Sequence, residues 1–117
     1  MPRQLPHVRT LSEAVCYVIE SNIEDGYRPM RFIQITERGT AVDLLNICRR
    51  LITKAELLEF LEQDFQRYPN MIVLEDFVKD RGAEWGFDEK AITIAKQRSE
   101  WFDKIAGKPR LVITTPQ

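Results

Sequence analysis

Few side chains in this 117-residue sequence combine type and spacing in a way that could move a proton, attack a carbonyl or hold a metal. The single histidine, His7, follows Pro6 in an N-terminal stretch without apolar periodicity. A serine or cysteine nucleophile needs an imidazole fixed within hydrogen-bonding reach, and a loose arm does not fix one. Cys16 and Cys48 lie far apart in apolar helical patterns, with no second cysteine or histidine at ligand spacing. Both read as reduced thiols packed in the core as small hydrophobes. Gly26, Gly39, Gly82, Gly86 and Gly107 are scattered among element ends, so no phosphate-cradling loop is written here. Glu75 and Asp76 are neighbours that splay apart on a helix, while Glu56, Glu59 and Glu62 recur every third residue without a second acidic helix to meet them. That row reads as a solvated face rather than a cation site. The expectation is no catalytic residue, no metal and no cofactor.

The aromatic residues are more suggestive. Trp85 and Phe87 flank Gly86, and Trp101 follows in the next helical pattern; with Tyr27 and Phe32 they could line a pocket or a partner-binding patch. The plain alternative is that they close one end of the core. Arg49, on the polar side of another helical pattern, is the guanidinium that would serve such a pocket. Trp85, Phe87, Trp101, Tyr27 and Arg49 are therefore the candidate partner- or ligand-binding residues.

Charge narrows the partners. Seventeen Lys and Arg against eighteen Asp and Glu leave a net charge of −1, so no global field draws the chain to nucleic acid or an anionic membrane. Two helical patterns in succession, Thr40 to Ile52 and Thr53 to Tyr68, superficially suggest a helix-turn-helix. The second presents Glu56, Glu59, Glu62 and Asp64 outward, which opposes docking on phosphates. No apolar run approaches the roughly 20 residues of a membrane span, and the opening residues lack a secretory hydrophobic region. The cytoplasm is the expected compartment.

The elements that must position these residues are mostly helices. Thr10 with Glu13 opens a capping box ahead of the stripe Leu11, Ala14, Val15, Val18, Ile19 and Ile23. Thr53 with Glu56 writes a similar start for the stripe Leu57, Leu58, Leu61, Phe65 and Tyr68, closed by Pro69. This is the stretch around which the chain is expected to be organised. Helices are expected over 10–25, 40–52, 53–68, 72–81 and 88–106, the first closed by a left-handed cap at Gly26 and the fourth by Gly82, after a loose arm at 1–9. The alternation Arg31, Ile33, Ile35 against Met30, Phe32, Gln34, Thr36 reads as a strand at 30–36, and 110–115 reads as a second. Arg31 and Arg110 would shield their edges. The fold class is thus α+β, predominantly helical, in one domain. Its small two-stranded sheet is covered by helices or completed by a matching edge from a second copy, which would make a homodimer. Strong core signals beside missing catalytic ones point to a non-enzymatic protein-interaction or regulatory module. The alternatives are a small-molecule binder with an aromatic-lined pocket, one form of which is an enzyme working through Asp, Glu, Arg or Tyr there, and then a weak nucleic-acid binder.

Overall fold

A computed structural model describes residues 4–37, 41–54, 58–69 and 71–111. They form six α-helices: α1 (Leu11–Glu24), α2 (Met30–Glu37), α3 (Ala41–Thr53), α4 (Leu58–Arg67), α5 (Leu74–Arg81) and α6 (Glu89–Ala106), with a 3-10 turn at Gly82–Trp85 between the last two. Helix α5 lies against α6, α1, α3 and the 3-10 turn, while α4 packs on α6 and α2 on α3. The run Met71–Val78 is buried at every position. The molecule is therefore gathered around the α5–α6 pair rather than around 53–68.

The expected sheet is not formed among the described residues, and the α+β reading is corrected to a helical fold. The segment 30–37 is helix, despite its alternating isoleucines. Pro29 just before it and Ile33 and Thr36 within it are buried, spaced four and three residues apart along one helical face. The amide of Ile33 donates to the Pro29 carbonyl at 2.9 Å, and the buried Thr36 hydroxyl donates back to the Phe32 carbonyl at 2.8 Å. A strand here would need an outside ladder for its amides and carbonyls, whereas a helix satisfies them internally. Tertiary burial of one face thus overrides the β preference of Ile, Phe and Thr. At the other expected strand, Arg110 is a buried bend residue, Leu111 is an isolated bridge position, and 112–117 lie outside the described residues.

Helix α1 begins at the Thr10 cap its sequence implies, with Glu13 reaching one residue further back than a capping box requires. The Thr10 hydroxyl accepts from the Glu13 amide at 3.1 Å, and the Glu13 carboxylate accepts from the Arg9 amide at 2.8 Å. Its buried side carries Leu11, Ala14, Val15 and Val18. At about 100° per residue Cys16 falls roughly 140° from Leu11 around the axis, and it is exposed, not a core residue. Thr53 does not cap a following helix; it ends α3, where its hydroxyl donates to the Arg49 carbonyl at 2.9 Å. Its expected box partner, Glu56, lies outside the described residues, as do the side chains of Glu59 and Glu62.

Two apolar clusters make up the interior among the described residues. The larger joins Val8, Leu11, Val15, Val18, Leu44, Cys48, Ile52, Ile72, Phe77, Val78, Phe87, Ala91 and Ala95. The smaller joins Phe65, Met71, Val73 and Phe102, with Phe65 and Phe102 stacked at 4.4 Å. Gly82 closes α5 with a φ of −59° and links it to α6. A Cβ there would stand 2.8 Å from Val78 Cγ1 and 3.1 Å from Ile92 Cγ1, so close helix approach requires the glycine. Between α5 and α6 the left-handed residue is Gly86, φ 93°, which turns the chain between Trp85 and Phe87.

Candidate functional site

The N-terminal segment is non-helical from Gln4 to Val8, yet it is pinned rather than loose. Val8 is buried in the larger cluster. Its carbonyl accepts from Arg81 Nη1, and the Arg9 carbonyl accepts from the indole N–H of Trp85 at 3.2 Å. Arg81 occupies the last position of α5, where a cation complements the helix C-terminus. Its guanidinium lies 5.2 Å from the centre of the Trp85 ring and 3.0 Å from the Glu84 carboxylate. Arg81 holds the Glu84 carboxyl below the usual carboxylate range, with a smaller contribution from the nearby His7. The 3-10 turn fixes this geometry by placing Glu84 and Trp85 three and four residues after Arg81.

Beside this stack opens a cleft of about 610 Å³. The arm supplies one wall through Leu5, Pro6 and His7; α5 contributes Lys79 and Arg81; α6 contributes Lys96 and Glu100; Pro109 and Leu111 complete it. Both signs of charge therefore face the opening.

Asp76 and Asp103 also border the cleft, and behind them lies the densest polar cluster in the described structure. Asp76, in the first turn of α5, accepts from the Val73 amide at 3.0 Å and from the Ser99 hydroxyl at 2.7 Å. Val73 has no side-chain acceptor, so only this half of a capping box exists. Arg110 gives Asp76 two hydrogen bonds and reaches Asp103, the Met71 carbonyl and the Ser99 carbonyl as well. Its guanidinium also lies over the Phe65 ring at 4.8 Å. Lys79 donates to the Ser99 hydroxyl at 3.2 Å. Ser99 is fully buried and donates its hydroxyl to Asp76, so no path to solvent leads to its oxygen. His7 stands exposed on the rim of the same cleft.

A second buried pair lies nearby. Arg98 Nε is 3.2 Å from Glu75 Oε2 without a hydrogen bond in line, while Arg98 Nη1 donates to the carbonyls of Leu51 and Ile52 at the end of α3. Burial pushes the Glu75 carboxyl above its ordinary range, and the attraction of Arg98 offsets that only in part.

The five residues expected to bind a partner or ligand are not brought to one place. Trp85 packs half-buried against the larger cluster and Phe87 is buried within it, while Tyr27 and Trp101 pack on the smaller one. Tyr27 donates its hydroxyl to Asp64 at 2.8 Å and lies 5.3 Å from the Tyr68 ring. Burial, reinforced by Asp64, pushes its phenol well above the ordinary value. Arg49 pairs bidentately with Asp88 at 2.8 and 2.9 Å on the surface, joining α3 to the start of α6. Of the five, Trp85 alone stands beside the cleft walls, through Arg81.

The sequence reading missed Arg81, Lys79 and Asp103. Arg81 had one usable signal: a basic residue closing a helix four positions before a tryptophan. Asp103 and Arg110 had none, because nothing local places the backbone after α6 against the start of α5. No protein-family model, curated protein or solved structure matches the chain.

Proposed function

We propose that this chain is a non-enzymatic protein-interaction module whose recognition face is the Arg81–Trp85 stack with the adjoining cleft. The observation that carries this reading is Trp85 itself: a large aromatic held half-exposed by a guanidinium on its face and a backbone carbonyl on its N–H. Such a side chain reaches an interface already ordered, so binding costs it little rotamer entropy. Trp and Arg are also the residues that most often dominate interface energetics. The polar groups beneath the cleft are engaged with one another, which favours recognition over bond-making.

The test is site-specific photo-crosslinking in the native host. A photoreactive residue at Lys96, an exposed position on the cleft wall, is expected to trap a discrete protein partner. Trp85→Ala, in a chain that keeps its helical signal and cooperative unfolding, is expected to abolish the trap. Identical adducts from Glu20, an exposed residue of α1, would defeat the reading.

A second reading, small-molecule binding, draws on the cleft volume, which lies within the roughly 300–1,000 Å³ of ligand sites. A ligand screen by thermal shift separates the two. A compound that raises the melting temperature, with the rise lost in Lys79→Met, favours this second reading.

A further inference from the structure

We infer that the seat holding residues 5–9 is a receptor for a short non-helical peptide carrying valine between basic residues, and that the chain's own arm fills it. This rests on the recognition face just proposed and names the kind of segment that face would take. Three features of the seat lead to it. Its two hydrogen-bond donors, Arg81 Nη1 and Trp85 Nε1, both engage main-chain carbonyls, those of Val8 and Arg9. Carbonyls are common to every sequence, so this part of the grip is not peculiar to the arm. The selective contact is the apolar socket that buries Val8. The basic residues beside that valine, His7 and Arg9, are exposed, and Glu84 feels the charge of His7. A ligand reading Leu-Pro-His-Val-Arg or its like would repeat the same contacts.

Self-occupancy makes the seat a gate. A partner segment must displace the arm, so its apparent affinity is reduced by the fraction of molecules in which the seat is open. The arm leaves directly into the Thr10 cap of α1, where Glu13 fixes the Arg9 amide, so release is confined to residues before Thr10.

The probe is a fluorescein-labelled peptide of residues 4–10, followed by anisotropy against the full chain. Val8→Asp unseats the arm by placing a charge in an apolar socket. That chain is expected to bind the peptide at least about tenfold more tightly than the parent, the ratio for a seat nine-tenths closed. Adding Arg81→Gln and Trp85→Phe is expected to remove the gain. A folded Val8→Asp chain that binds no better than the parent overturns the inference. So does a parent chain that forms an arm-exchanged dimer while ignoring the peptide. Should Val8→Asp fail to fold, hydrogen exchange on the parent chain decides: excess peptide is expected to speed exchange across 5–9, and unchanged exchange overturns it. If the peptide fails while the Lys96 crosslink and its loss in Trp85→Ala persist, the recognition face stands and only the peptide class falls.

Discussion

Arg110 and Asp76 meet end-on through two hydrogen bonds of 2.8 Å, and neither side chain is exposed to solvent. Thirty-four residues apart in the chain, they fasten the segment after α6 to the first turn of α5. The carboxylate thereby serves three elements: its own helix start through Val73, α6 through Ser99, and the C-terminal segment through Arg110.

Removing one partner leaves the other charge buried. Arg110→Met and Asp76→Asn are each expected to cost about 3–5 kcal/mol in urea unfolding, as broken buried pairs do. The double replacement Asp76→Asn with Arg110→Met is expected to cost well under the sum, since no buried charge is left uncompensated. Strict additivity would show that the pair is not energetically coupled.

Gly82→Ala tests close approach rather than backbone strain, because the φ of −59° suits alanine. The added methyl would meet Val78 and Ile92, a branched side chain of the same helix and one of α6. A loss of about 1–3 kcal/mol is expected from overpacking. A variant as stable as the parent, or more so, would contradict the observed α5–α6 spacing.

The two thiols differ in environment. Cys16 is exposed, whereas Cys48 is buried and its thiol is pushed up to about 12 by burial, with a further contribution from Glu75. One thiol per chain is expected to react with Ellman's reagent at pH 8 under native conditions, and two in denaturant. Fast native reaction of both would place Cys48 at the surface.

Glu75 makes the pH dependence specific. Its carboxyl is raised in the folded state above the ordinary 4.5, so the folded chain holds that proton more tightly than the unfolded chain does. The resulting stability is fully present below 4.5 and is lost as pH rises through the raised value. In urea titrations from pH 4 to 8, the stability of the parent minus that of Glu75→Gln is therefore expected to fall with rising pH. A difference that grows would mean that the ion pair with Arg98 outweighs burial.

What the sequence determined was the helices with strong local instructions. The Thr10 cap, the stripe from Leu11 to Val18, and the face Leu44, Cys48 and Ile52 depend on neighbours within two turns, and the structure uses them so. Residues 30–36 carried no such instruction. Their alternation fits a strand, but the contact with α3 that turned Ile33 and Thr36 inward is a property of the assembled chain. The same holds for the site. Trp85 was legible as an aromatic beside a glycine, while its Arg81 stack, the arm's carbonyls and the cleft needed α5, α6 and the N-terminal segment brought together. From the sequence, Glu75 and Asp76 splay apart, as neighbours on a helix do. Tertiary structure placed both inside and gave each a different arginine, since a buried charge is tolerated where a partner arrives from elsewhere in the chain.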